Sequence, residues 1–331
     1  MSESANGLKT IKWGIIGCGN VTEVKSGPAY KLTEGFELVA VMRRDLDKLK
    51  DYAERHGIKK QYANADDLIN DNEIDAVYIA TPPDTHKLYA LKVAEAGKIC
   101  CIEKPMTPSY EDSLAVYNAF NEKQIPLFVA YYRRSLPRFT KINDWLKNNE
   151  IGEVRHISWH YSKPASDLDK SDTYNWRTDS KIALGGYFDD LASHGLNLFT
   201  FLFGNIKDAK GISLNQHKNY SSKDAITASW LHESNITGSG TWNFDCNDSY
   251  DKVTIYGSEG RIEFSVFHEN PVILESKTKN EELFIKNPKH IQIHHVEGMR
   301  NMLINKNDTH PSMGMSALHT NWIMDKILRN E

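Results

Sequence analysis

Between residues 12 and 131 one pattern recurs: a short apolar run, then an amphipathic stretch of helical period. The runs are Lys12 to Gly17, Glu37 to Met42, Asp75 to Ala80, Ile99 to Glu103 and Leu127 to Tyr131. Brief apolar runs punctuated by Gly, Pro and Asp are what a parallel sheet covered on both faces requires. The intervening stretches carry helix signals. Asp45 to His56 stops at Gly57, suited to a left-handed cap. Asp84 is placed to cap a helix that runs to Ala96 and stops at Gly97. Ser109 and Asp112 resemble a capping box. A βαβαβ alternation predicts a doubly wound nucleotide-binding domain.

The pattern changes after residue 150. Val154 to Tyr161, Ile226 to Leu231, Ile236 to Phe244, Lys252 to Tyr256 and Arg261 to Val266 read as strands that follow one another with few helices. Gly257-Ser258-Glu259-Gly260 fits a hairpin connection. One helix, roughly Phe188 to Phe203, interrupts them. The expected fold class is α/β: a Rossmann domain over residues 1–131, whose first ten residues are a loose arm, and a second, largely antiparallel domain over 132–331. The amphipathic stretch 316–328 closes the chain as a helix able to pack back on the first domain. A length of 331 residues suits two domains.

Forty basic against 44 acidic side chains leave a net charge of −4, so no basic footprint for nucleic acid exists. No apolar run reaches membrane-spanning length, and MSESANGLKT lacks the apolar stretch of a signal peptide. The four cysteines, Cys18, Cys100, Cys101 and Cys246, include two neighbours in one strand whose side chains point to opposite faces. That argues against a disulfide framework and for the cytoplasm.

Three stretches carry chemistry. The first is Gly17-Cys18-Gly19-Asn20-Val21, directly after the first strand. Its first glycine permits a tight turn. Its second lets the backbone approach a pyrophosphate that rests on a helix N-terminus. The usual third small residue is Thr22. At the end of the second strand stand Arg43 and Arg44, where an NAD site usually has an acidic group. Two guanidinium groups favour the 2′-phosphate of NADP(H), with NAD(H) as the lesser possibility, and Asp45 reads as the cap of the next helix. After the third strand, Thr81-Pro82-Pro83-Asp84-Thr85-His86 offers a ledge under the cofactor or simply a rigid loop, with Thr81, Pro82 and His86 as candidate contacts.

The second is Glu103-Lys104-Pro105. A lysine at the carboxyl end of a strand in an open α/β sheet lies where ligands bind, and it can carry the proton of an alcohol or carbonyl. The third is Gly185 to His194, in which Asp190 and His194 are four residues apart and share one face of a helix. Such a pair relays a proton, or is an ordinary surface pair. A metal site needs a third donor, and none is evident nearby. His290, His294 and His295 read as strand or edge residues.

Together these motifs resemble the glucose–fructose oxidoreductase / inositol dehydrogenase / MocA (Gfo/Idh/MocA) family, from Ile11 to about Leu328. Glu103-Lys104-Pro105 matches its best-known signature, and Gly185 to Asn197 matches its Gly-Gly-Gly-x-x-x-Asp-x-x-x-His-x-x-Asp pattern, with Leu184 and Asn197 replacing its first and last members. The resemblance implies Lys104, Asp190 and His194 as catalytic residues and Glu103, Lys104, Trp176 and Arg177 at the cofactor. It further implies Tyr132, Arg133, Arg177, Asp190 and His194 at the substrate, and a cis Lys104-Pro105 bond. It implies a large open second sheet that often joins subunits, hence a homodimer or homotetramer. The implied activity is hydride transfer between nicotinamide and a sugar, polyol, cyclitol or related hydroxy or keto compound; with the arginine pair, the expected enzyme is an NADP-dependent oxidoreductase without a metal. Two alternatives share the fold: a redox-neutral nicotinamide-dependent glycosidase, and a non-catalytic NADP/sugar-binding regulator.

Overall fold

The structure is a computed structural model, and it describes residues 2–3, 9–171, 173–304 and 309–329. It divides into two compact units. One comprises residues 1–135 and 288–318, the other 136–287 and 319–331. Relative to a division at residue 131, the chain therefore gives the first unit a late segment, and the dividing line falls inside the last helix.

In the first unit the strands are β1 (Ser2–Glu3), β2 (Lys9–Ile16), β3 (Phe36–Met42), β4 (Lys60–Tyr62), β5 (Ala76–Ile79), β6 (Ile99–Ile102) and β7 (Leu127–Val129). The last six are parallel in the order β4-β3-β2-β5-β6-β7. The loose arm is corrected in part: Ser2 and Glu3 pair antiparallel with Thr10 and Lys9, while residues 1 and 4–8 lie outside the described residues. Alternate residues of each strand feed two separate apolar clusters, because side chains on a strand alternate faces. Trp13, Ile15, Val41, Ala76 and Tyr78 enter one cluster; Ile16, Ala40, Met42, Val77 and Ile79 enter the other.

The helices are α1 (Asn20–Val24), α2 (Gly27–Leu32), α3 (Leu46–His56), α4 (Ala65–Ile69), α5 (His86–Glu95) and α6 (Tyr110–Glu122). Asp45 caps α3 by accepting from Lys48 N, and Gly57 ends it with φ +67°. Ser109 caps α6 through Asp112 N. Asp84 does not cap α5. It sits in a 3-10 turn, Pro83–Thr85, that leads into the helix, because the two prolines hold the entry extended.

In the second unit α7 (Pro137–Lys147) precedes β8 (Val154–Ser162), and α8 (Ser193–Phe203) precedes β9 (Ile206–Leu214), β10 (Ala225–His232), β11 (Thr237–Asn243), β12 (Tyr250–Gly257), β13 (Gly260–Phe264), β14 (Val272–Ser276) and β15 (Asn280–Leu283). The sheet order is β15-β14-β13-β12-β8-β11-β10-β9, with β8 and β11 the parallel pair. Ser258 and Glu259 form the hairpin link between β12 and β13. One sheet face buries Trp159, Trp230, Trp242, Val253 and Ile255. Against it α8 approaches so closely that a Cβ on Gly195 would lie 2.2 Å from the Trp159 ring. The other face carries exposed His160, Thr227, Thr241, Tyr250 and Tyr256.

The chain then forms α9 (Ile293–Ile304) and α10 (Gly314–Arg329). His294 and His295 are therefore helical rather than strand residues, a correction that follows from α9's packing on α2 and the first-unit core through Val296 and Met299. Its sequence is poor in helix signals, with a glycine at 298 and no cap.

Candidate active site

The first unit's candidate residues gather where the strand order reverses, between β2 and β5, the place where open α/β sheets bind ligands. A cavity of about 350 Å³ is lined by Gly17, Cys18, Gly19, Met42, Arg43, Arg44, Ala80, Thr81, Pro82, Asp84, Thr85 and Tyr89. Gly17 has φ +91°, and a Cβ there would lie 2.7 Å from Thr81 Cγ2, so the turn requires glycine. A Cβ on Gly19 would meet no heavy atom nearer than 3.9 Å, so this backbone stands open to a ligand. The cradle fits a dinucleotide. Asn20 and Val21 open α1 beside it and are not among its lining residues. α1 is only five residues long, so its dipole is small.

At the far end of the cavity Arg43 Nη1 donates to Cys18 O at 2.9 Å, tying the glycine loop to the end of β3. Arg44 is exposed, with no carboxylate in ion-pair range among the described residues. Asp45 is committed to Lys48, through its backbone N–H and its ammonium at 3.0 Å. The position that would accept from a ribose hydroxyl is thus occupied by cations.

Glu103, Lys104 and Pro105 follow β6, and the Lys104–Pro105 bond is cis. Glu103 is buried, accepting from Tyr78 Oη at 2.5 Å, Gln292 Nε2 at 2.7 Å and Lys104 N at 3.2 Å. Its carboxylate is a hub that shapes the Lys104 turn rather than an open cofactor contact. His86 has no exposed surface, and both ring nitrogens face backbone carbonyls, so it lies beneath the cavity and not on its wall. Tyr132 and Arg133 occupy a buried 3-10 turn after β7, with the Arg133 guanidinium 5.1 Å from the Tyr132 ring centre. Arg134 beside them donates to Pro311 O at 2.7 Å, and burial pulls its pKa down to about 9.

The second unit holds its own group. Phe188–Ala192 is a π-helical turn, and α8 begins at Ser193. Asp190 and His194 lie on either side of this change of helical pitch. Both are buried. Asp190 accepts from Arg177 Nε at 2.6 Å, and the Arg177 guanidinium lies 4.3 Å from the Trp176 ring centre. Behind this pair is a network that the sequence did not reveal. Asn175 Oδ1 accepts from Arg177 N, and Asn175 Nδ2 donates to Tyr187 Oη and Asp169 Oδ1. Tyr187 Oη donates to Asp169 at 2.5 Å, and Ser166 donates to Asp169 through N and Oγ. Burial pushes the Asp169 carboxyl up, but these donors outweigh it and hold it below its ordinary value. The Lys163 ammonium rests 3.6 Å from the Tyr187 ring centre, its pKa lowered by burial. Asp189 is different. It is buried with Gly185 N donating to it at 2.9 Å, and burial raises its pKa to about 7. Among the described residues no cluster of three or more His, Cys, Asp or Glu could hold a metal ion.

Residues 11–131 match the GFO/IDH/MocA oxidoreductase family, NAD-binding Rossmann fold, and residues 139–263 match the GFO/IDH/MocA C-terminal domain. Oxidoreductase P35 of Formosa agariphila is 38% identical over 317 residues, 95% of this chain and 97% of that one. Levoglucosan dehydrogenase of Pseudarthrobacter phenanthrenivorans is 28% identical over 188 residues, 57% of this chain and 44% of the other. Among solved structures, an oxidoreductase from Thermotoga maritima superposes with TM-score 0.86 at 20% identity, covering 97% of this chain and 96% of that one. A levoglucosan dehydrogenase in complex with NADH and levoglucosan gives 0.84 at 20%, covering 97% of each, and these two likenesses speak for the fold. With a Rossmann cradle, a Glu-Lys-Pro turn at the end of β6 and matched domains along most of its length, the chain belongs to the Gfo/Idh/MocA family of NAD(P)-dependent oxidoreductases.

Proposed function

We propose that this protein is an NADP-preferring dehydrogenase that transfers a hydride between the nicotinamide and a hydroxyl or carbonyl of a carbohydrate-like compound. The observation that carries the cofactor choice is the pair Arg43 and Arg44 on the wall of the same cavity as the glycine loop. The relatives named levoglucosan dehydrogenase and trans-1,2-dihydrobenzene-1,2-diol dehydrogenase support a cyclic, hydroxyl-bearing substrate.

When bound, the nicotinamide supplies the hydride acceptor or donor. The protein's part is the proton and the placement. Lys104 Nζ and the His194 imidazole accept or return the hydroxyl proton, a role worth about 10²–10⁴-fold in rate. Asp190, anchored by Arg177, orients the reacting carbon's hydroxyl. Tyr132, Arg133 and Arg177 recognise the remainder of the substrate, and Trp176 flanks the nicotinamide. The second sheet's uncovered face, with Tyr250 and Tyr256, joins subunits into a homodimer or homotetramer. The four free cysteines suit work in the cytoplasm.

The test is a cofactor-reduction screen over sugars, cyclitols, anhydrosugars and dihydrodiols with both nicotinamides. Turnover with NADP⁺ and weaker use of NAD⁺ is the expected result. Tighter binding of NADH than NADPH ends the cofactor assignment. Sugar release without net change in cofactor absorbance reassigns the enzyme as a redox-neutral glycosidase. Light scattering at micromolar concentration checks the assembly, and a monomer refutes it.

A further inference from the structure

His86 begins α5 and is fully buried. Its Nε2 lies 2.8 Å from Thr81 O, and its Nδ1 lies 3.1 Å from Pro105 O and 3.2 Å from Met106 O. Thr81 is on the wall of the dinucleotide cavity, and Pro105 is the residue joined to Lys104 by the cis bond. One ring thus spans two loops that leave neighbouring strands, β5 and β6. The backbone ladder between these strands reaches Glu103 N, which donates to Ile79 O at 2.8 Å. Beyond that rung the imidazole carries the connection on.

The geometry also limits what can replace it. Imidazole presents polar atoms at two edges on a rigid frame. Asn, Gln and Ser present theirs at one end, so none of them spans both loops as one rigid frame. Burial lowers the pKa of His86, which favours the neutral ring with a single N–H. That proton hydrogen-bonds one loop, and the other ring edge meets the second loop's carbonyl by contact without a hydrogen bond.

We propose that His86 is a positioning residue that couples the cofactor seat at Thr81 to the Lys104–Pro105 turn, so that the loop under the dinucleotide and the proton-carrying lysine move together. This rests on reading Lys104 as the proton carrier. A merely structural histidine would lower stability without linking the two loops.

The experiment compares wild type, His86→Leu and His86→Gln, each also in a Lys104→Ala background. NADPH dissociation constants come from nucleotide fluorescence, and turnover comes from the best substrate of the screen. Leu is expected to weaken NADPH binding about fivefold, the scale of one hydrogen bond, and to lower kcat about tenfold. In the Lys104→Ala background the NADPH effect persists while the kcat effect vanishes, because there is no lysine left to misplace. Gln is expected to recover one of the two losses and not both. A folded His86→Leu protein with wild-type NADPH affinity and kcat overturns the proposal, as does an equal kcat loss in both backgrounds. If Leu fails to fold, Gln decides: recovery of both functions shows that the two-edged ring is not needed. If the wild type turns over nothing, the dehydrogenase reading has failed, and the NADPH titrations still test the tie between His86 and the Thr81 loop.

Discussion

The two halves of the proposed chemistry are held in different ways. In the first unit the cavity is built round the backbone of a glycine turn and the ends of β3 and β5, with the Arg43 and Arg44 side chains on its wall. In the second unit Asp190 accepts from the Arg177 side chain, with Asn175, Tyr187 and Asp169 behind it. Backbone cradles suit a ligand that never varies, such as a dinucleotide. Side-chain networks can be re-cut by single substitutions while the fold stays intact. On the proposed function, cofactor chemistry falls on the rigid element and substrate choice on the adjustable one.

The sharpest way to break this comparison is Lys104→Ala. Turnover is expected to fall at least about 10²-fold while NADPH affinity changes little, measured by steady-state kinetics and fluorescence titration. A parallel loss of affinity would show that the lysine belongs to the cradle.

The next largest effect concerns Asp189. Its carboxyl titrates near 7 in the folded chain, well above an ordinary aspartate near 4. The folded state therefore holds a proton that the unfolded chain has released, and stability is lost as pH rises from about 4 through 7. This loss is on the order of 4 kcal/mol. Urea midpoints at several pH values should show that slope in the wild type and a shallower one in Asp189→Asn. Equal slopes would remove Asp189 as its source.

Tyr187→Phe deletes the hydroxyl shared by Asp169 and Asn175. A cost of about 2 kcal/mol is expected, with a raised substrate KM and unaltered NADPH affinity. A change in cofactor affinity instead would contradict the division of labour. Smallest, Arg44→Ala should shift the NADP-to-NAD affinity ratio about tenfold toward NAD, the scale of one charge-assisted contact of about 1.4 kcal/mol. No shift would leave Arg43 as the sole phosphate partner.

The Rossmann unit was legible because its signals are local. Asp45, Gly57 and Ser109 mark helix ends by bonds made within a few residues, and Gly17 by a dihedral angle. Asp84 failed for an equally local reason, a proline pair that imposes its own turn. What escaped depends on distance. Gln292 reaches Glu103 across 189 residues, and no nearby pattern marks it. α9 is helical through packing and not through propensity. The Tyr187–Asp169–Asn175 network joins loop residues whose separations follow no period.

The discontinuity of the first unit has a consequence for biosynthesis. Ser312 accepts from Val129 N through its backbone and donates from its hydroxyl to Tyr131 O, and α9 adds Val296 and Met299 to the same core. These partners emerge from the ribosome after the whole of residues 136–287. Each unit is thus finished only by the last stretch of the chain, the first by residues 288–318 and the second by 319–331. A nascent chain halted near residue 287 would carry the strands of both sheets and still lack the segments that complete either unit.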